Sequence, residues 1–180
     1  INDYFYNHYV NDLRKVVLSH LQAAAQTYPD YEFIYTGHSL GAAFATLTAY
    51  DAVTSNITTK EQSIIYSYGS PRVGNYIFAQ AVKNVVKEIY RVTHWRDPVP
   101  HVPPCKTDKA GNCMKDTSMM SEDGPIIWPA YHVSQEVFYN EACTNYTLCD
   151  PDGEDPKCID QFGIVSWKIP NHLHYLNVHM

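Results

Sequence analysis

Along residues 8–27 the apolar positions Tyr9, Val10, Leu13, Val16, Val17, Leu21, Ala24 and Ala25 recur at spacings of three and four. That period predicts an amphipathic helix with one buried stripe. Tyr28-Pro29-Asp30 ends it, because the residue before a proline avoids the α region. Glu32-Phe33-Ile34-Tyr35-Thr36 is short, aromatic and β-branched, the mark of a buried strand. A tight turn over Gly37 to Gly41 follows. Ala42 to Val53, rich in Ala and Leu, then predicts a second helix. Ile64 to Tyr68 predicts a strand stopped by Gly69-Ser70-Pro71. Tyr76 to Val86 predicts a third helix and Glu88 to His94 a third strand. Helices of this length between short strands imply a mainly parallel sheet.

Beyond Asp97 the pattern changes. Pro98, Pro100, Pro103, Pro104, Pro125 and Pro129 punctuate the chain, so residues 98–131 are expected as loops over one end of the sheet. Residues 133–139 predict an edge strand, and the acidic stretch Asp150 to Asp160 a solvated loop. No repeat or low-complexity tract breaks the chain, and residues 1–180 read as a single domain.

Composition narrows the function. The chain has 180 residues, 45% of them hydrophobic, too apolar for a disordered segment and enough for one sizeable core. Thirteen basic residues against nineteen acidic ones give a formal charge of −6, so no nucleic-acid partner is expected. No apolar run is long enough for a transmembrane helix. The start at Ile1 fits a processed or truncated beginning. Cys105, Cys113, Cys143, Cys149 and Cys158 form no Cys-x-x-Cys pair, which argues against a zinc ribbon. With the glycosylation acceptors Asn56 and Asn145, in Asn56-Ile57-Thr58 and Asn145-Tyr146-Thr147, they predict a secreted, disulfide-bonded chain. The odd count leaves one Cys free or bonded to something outside these residues.

The chemistry centres on Gly37-His38-Ser39-Leu40-Gly41, a Gly-x-Ser-x-Gly motif between a strand and an Ala-rich helix. That context is a nucleophile elbow. The turn lifts the Ser39 hydroxyl clear of the sheet and is expected to leave room only for glycine two residues to either side. The helix beginning at Leu40 turns its free N–H groups toward the hydroxyl, where an oxyanion would be held. A serine nucleophile needs a base, and the base an orienting carboxylate, in the chain order Ser, acid, His. Asp97, just past the third strand, fits the acid. His101, His132, His172, His174 and His179 follow it, and spacing alone does not choose among them. His172 and His174 also have strand spacing for a metal pair, but no carboxylate or Cys accompanies them, so no metal and no cofactor is expected.

These residues bring a family into view. Thr36-Gly37-His38-Ser39-Leu40-Gly41-Ala42-Ala43-Phe44-Ala45 resembles the nucleophile segment of the fungal-type class 3 lipases. Tyr68-Gly69-Ser70-Pro71-Arg72-Val73-Gly74-Asn75 with Phe78-Ala79 resembles another block. So does Arg91-Val92-Thr93-His94 with Asp97-Pro98-Val99-Pro100-His101-Val102-Pro103-Pro104. His132 with Glu136-Val137-Phe138-Tyr139 resembles the next, and Asn171-His172-Leu173-His174-Tyr175-Leu176 the terminal one. The blocks stand in the family's order over nearly the whole chain.

The resemblance implies an α/β-hydrolase fold and hydrolysis of carboxylic esters, most often acylglycerols. It selects the base, since the family's His stands three residues before a Tyr, as His172 does before Tyr175. The implied triad is Ser39, Asp97 and His172, with the Leu40 backbone N–H as one oxyanion donor. Val102, Pro103 and Ile126-Ile127-Trp128 would line an acyl cleft. The family carries strands, a lid helix and a second oxyanion donor ahead of the elbow, whereas 38 residues precede Ser39 here. The chain therefore reads as the C-terminal part of such a lipase, with the elbow strand as an open sheet edge. An N-terminal lipase segment, to which the odd Cys could form a disulfide bridge, is the expected partner. A triacylglycerol lipase is the leading reading. A phospholipase A1, a feruloyl esterase, or a non-catalytic lipid-binding or interaction chain are the alternatives.

Overall fold

The computed structural model describes residues 1–115 and 129–180. Its helical N-terminus has three parts: α1 (Asp3–His8), a π-helical stretch (Tyr9–Leu13) and α2 (Arg14–Thr27). The π turn holds extra residues in one turn and so shifts the phase of the apolar stripe. Phe5, Tyr9 and Leu18 face the core, while Val10 and Val16 of the expected stripe are exposed. Tyr28 leaves the helix ahead of Pro29. Then come β1 (Phe33–His38), α3 (Leu40–Thr54), β2 (Ser63–Tyr68), β3 (Gly74–Asn75), α4 (Tyr76–Val85) and β4 (Glu88–His94). Apart from the two-residue β3, which has no counterpart in the sequence pattern, this is the predicted alternation; the N-terminal helix begins at Asp3 rather than residue 8, and the later boundaries move by two residues at most.

One sheet runs in the order β1-β2-β4-β6-β7, with β6 at Glu136–Tyr139 and β7 at Tyr146–Leu148. Its first four strands are parallel, and β7 pairs antiparallel with β6. The strand predicted within 133–139 is therefore not at the edge: the three-residue β7 takes that place. Two further loop residues, β5 (Ala130–Tyr131), pair with β3. The other edge is β1, as expected for the elbow strand.

Strand alternation assigns the two faces. Tyr35, Ile65 and Ile89 are register partners, and their face packs on α3 and α4. Ala42, Ala43, Ala49 and Ala52 have no exposed surface; such small side chains let α3 lie close to the sheet. His38, Tyr68, Val92 and Val137 are register partners on the opposite face. There the C-terminal segment returns through α5 (Ile169–His172) and the hairpin β8 (His174–Tyr175) and β9 (Val178–His179). Tyr175 packs against Val92 and Val137. Ile34, at the open edge of that face, is 60% exposed.

The acidic stretch differs from its expectation. The side chain of Glu154 is buried and holds the Arg72 guanidinium through two 2.9 Å hydrogen bonds; Asp160 holds it at 3.0 Å. A buried carboxylate needs such a partner, and Arg72 lies 82 positions away in the chain. Disulfides link Cys105 to Cys113 and Cys149 to Cys158, and Cys143 is the unpaired fifth thiol.

Candidate active site

Loops leaving the carboxyl ends of β1, β2 and β4 meet on one side of the sheet, where parallel sheets place their ligand sites. The first carries Ser39. Its φ of 56° and ψ of −126° lie outside the regions a residue with a side chain ordinarily adopts. The Ser39 N–H donates to the Tyr68 carbonyl at 2.9 Å, pinning the elbow to β2. Leu40 opens α3, so its N–H has no acceptor within the helix, and the positive end of the helix dipole lies at this point.

The two motif glycines differ. A Cβ on Gly37 would fall 2.4 Å from the carbonyl carbon and oxygen of Gly41, whereas a Cβ on Gly41 meets nothing within 4 Å. The expectation that crowding excludes side chains on both sides is thus corrected: only Gly37 faces the first turn of α3. Gly37→Ala is expected to cost several kcal/mol, because backbone must move. Gly41→Ala should stay within about 0.5 kcal/mol of the parent. Urea unfolding of the two variants measures the difference.

The Ser39 hydroxyl makes no helix-capping bond. Its Oγ lies 2.9 Å from His172 Nε2, and His172 Nδ1 lies 2.9 Å from Asp97 Oδ2. Asp97 is fully buried and accepts two further hydrogen bonds, one from the Tyr175 hydroxyl and one from the Val99 N–H at 2.8 Å. Burial, with the Asp97 charge beside it, raises the Tyr175 phenol well above its ordinary pKa, so it stays a donor. Gly69, at φ +54°, forms the floor: a Cβ there would lie 2.8 Å from Asp97 Oδ2, 2.9 Å from the Tyr175 hydroxyl and 3.1 Å from His172 Nδ1. Sequence reasoning chose Ser39, Asp97 and His172, and the fold brings all three together. It missed Gly69, read only as a strand stop, and Tyr175, used only as a spacing mark.

The other histidines after Asp97 have other partners. His132 is buried, with Nε2 2.7 Å from the Pro100 carbonyl. His174 and His179 are exposed and packed edge-to-face on each other. His101 stacks on Trp167. Burial, then the Arg72 charge, lowers its pKa from 6.5 to about 4. At pH above 6.5 the ring is neutral folded or unfolded and adds no pH dependence. As pH falls from 6.5 toward 4 the unfolded chain takes up the proton first, so stability falls. The gap limits that loss to about 3 kcal/mol. Thermal melts from pH 7 to 4 should show a drop that His101→Phe reduces.

Val102 is 43% exposed, and its carbonyl accepts from the Arg72 N–H at 2.9 Å; the Pro103 carbonyl lies 3.4 Å from the Arg72 guanidinium. Ile126-Ile127-Trp128 lie outside the described residues. Asn56 and Asn145 are both exposed, but Thr58 of the first triplet is buried, its hydroxyl bonded to those of Tyr35 and Ser63. Among the described residues, the two groups with metal-ligand spacing, Glu136-Cys149-Cys158 and Cys113-Glu154-Asp160, both depend on sulfurs already in disulfides.

This arrangement has counterparts among known proteins. A secreted mono- and diacylglycerol lipase of Fusarium solani is 44% identical over 84 residues, covering 47% of this chain and 24% of its own length. A Caenorhabditis elegans lipase is 32% identical over 166 residues, covering 84% of this chain and 46% of its own length. The solved lipase of Rhizopus microsporus var. chinensis superposes with a TM-score of 0.75 at 27% identity, over 98% of this chain and 54% of that one. A triacylglycerol lipase described as having a serine protease triad at its catalytic centre superposes equally well, with a TM-score of 0.75 at 25% identity, over 97% of this chain and 58% of that one. This chain thus spans a quarter to about half the length of the curated relatives it matches. The fold is that of the α/β-hydrolases. The family model for class 3 lipases matches residues 1–107, a stretch that includes the elbow, the Gly69 turn and Asp97, and on that match the chain belongs to the class 3 lipase family.

Proposed function

We propose that residues 1–180 are a single domain, the C-terminal part of a secreted carboxylic ester hydrolase that cleaves acylglycerols. The observation that carries this reading is the hydrogen-bonded line from Ser39 Oγ through His172 to buried Asp97. Ser39 Oγ attacks the ester carbonyl carbon as His172 Nε2 takes its proton. The tetrahedral oxyanion is held by the Leu40 N–H and by a second donor from outside these residues, each worth about 3 kcal/mol in the barrier. Collapse breaks the bond to the alcohol, which leaves with the proton from His172. Water then attacks the acyl-enzyme with His172 as base, releasing the fatty acid and restoring Ser39. Asp97 fixes the ring and stabilises its charge throughout.

Apolar side chains around the reacting groups favour an acyl chain. Leu40 follows the nucleophile, Leu173 follows the base, and Ile169 opens the short helix that ends in the base; Ile169 and Leu173 are 61% and 37% exposed. Val102 and Pro103 are assigned to the same cleft. The names of the relatives favour acylglycerols, and their secretion agrees with two disulfides and with glycosylation at Asn56 and Asn145. An N-terminal segment of the lipase type is the proposed partner along the β1 edge. The test is fatty-acid release by the full-length protein from a triacylglycerol emulsion beside phosphatidylcholine vesicles. Faster release from the emulsion is expected. Preference for the phospholipid would replace the substrate class, and release from neither would overturn the lipase reading.

A further inference from the structure

The segment carrying His172 lies on the sheet face opposite α3 and α4, and two histidines outside the Ser-His-Asp line hold it there. Strand alternation puts His38, at the end of β1, and His94, at the end of β4, on that face. His38 Nε2 lies 2.8 Å from the carbonyl oxygen of His172. His94 Nδ1 lies 3.0 Å from the carbonyl oxygen of Asn171, and its Nε2 lies 3.1 Å from that of Glu141. Carbonyl oxygens only accept, so each bond requires a proton on the ring nitrogen concerned. A His94 ring with one proton serves one of its two carbonyls, and a ring with two serves both.

The rings also confine the base sideways. His38 packs at a tilt against His172, centroids 4.4 Å apart at 32°. Tyr175, the hydroxyl partner of Asp97, packs edge-on against both His38 and His94. Burial lowers the His38 pKa below its ordinary value, against the hydrogen bond to the His172 carbonyl, which favours the protonated ring. A neutral ring suits a neighbour that becomes cationic during the reaction, since two adjacent imidazolium ions would repel each other.

We infer that His38 and His94 are positioning residues, which grip the consecutive carbonyls of His172 and Asn171 and so fix the base between Ser39 and Asp97. This rests on the esterase reading for its catalytic consequence, but the grip itself is a statement about geometry. The test pairs His38→Leu and His94→Leu, which remove the donors, with two amide variants: His38→Gln, which keeps a donor at the Nε2 position, and His94→Asn, which keeps one at the Nδ1 position that faces Asn171. Two readouts are taken on full-length protein: kcat and KM on a soluble p-nitrophenyl ester, and the downfield proton NMR signal of His172 Nδ1–H. Displacement of the base by about 1 Å is expected to cost on the order of 100-fold in kcat. The Leu variants should lose about that much with KM unchanged, and their downfield signal should broaden or vanish. The amide variants should recover most of both.

Leu variants that keep the parent's kcat and NMR signal would overturn the inference. So would amide variants as impaired as the Leu variants, which would mean ring packing alone matters. If one Leu variant fails to fold, the other Leu variant and both amide variants still decide. If the parent protein hydrolyses no ester, the esterase reading fails, and the NMR signal alone decides the grip.

Discussion

Ser39→Ala is expected to lower kcat on the order of 10⁶-fold, the scale on which serine hydrolases lose turnover when the nucleophile is removed. The fold should survive. The Ser39 hydroxyl gives one hydrogen bond to the protein, the 2.9 Å contact with His172, and such a bond contributes about 1 kcal/mol to stability. Alanine at φ 56° is strained as serine is, so the backbone term nearly cancels. The elbow is held by its own backbone, through the Ser39 N–H on Tyr68 and Gly37 against Gly41. Steady-state assays with a thermal melt check both halves: activity at background and a melting temperature within a few degrees of the parent. Residual turnover well above background in a clean preparation would assign the nucleophile elsewhere.

Asp97→Asn is expected to lower kcat about 10⁴-fold. Oδ2 accepts from His172 Nδ1 and from the Tyr175 hydroxyl, and Oδ1 accepts from the Val99 N–H. An asparagine has one oxygen, so one of these places receives an N–H₂ group facing a donor. If the amide nitrogen faces His172, the ring must move its proton to Nε2, where it can no longer take the proton of Ser39. If the amide nitrogen faces Val99, the tautomer is kept but the negative charge that stabilises the imidazolium is gone. Both arrangements weaken the base. Because Asp97 is fully buried, the loss should persist across salt concentrations, as a surface charge effect would not. kcat at low and high salt is the check. A loss below tenfold would show that Asp97 is not the orienting carboxylate.

Most of the fold was legible because the elements near the site are long and sharply bounded. A helix with Ala on every side, a strand ending in Gly-x-Ser-x-Gly and a pre-proline stop are local signals. What was illegible was set by distant partners or by very short pairings. β5 and β7 have two and three residues, too few to show a period. Glu154 reads as a surface carboxylate until Arg72 closes on it. The π turn hides in an ordinary helical pattern, yet it decides that Tyr9 is buried and Val10 is not. At the site, the three residues expected to react were recognisable by type and order. Gly69 and Tyr175, which shape the pocket of Asp97, carry no reactive group, and only the assembled fold shows that Gly69 has no room for a Cβ. The freedom at Gly41 is the reverse case, a motif position whose side-chain direction opens into space.

The most direct test of the central claim is covalent labelling of the full-length protein with a fluorophosphonate, read by intact mass and by the mass of the peptide carrying residue 39. The reagent needs an activated serine and an oxyanion site together. The account predicts one adduct per chain, on Ser39, absent from Ser39→Ala and slowed in Asp97→Asn. A folded protein whose Ser39 stays unmodified, or whose label lies on another residue, would contradict it.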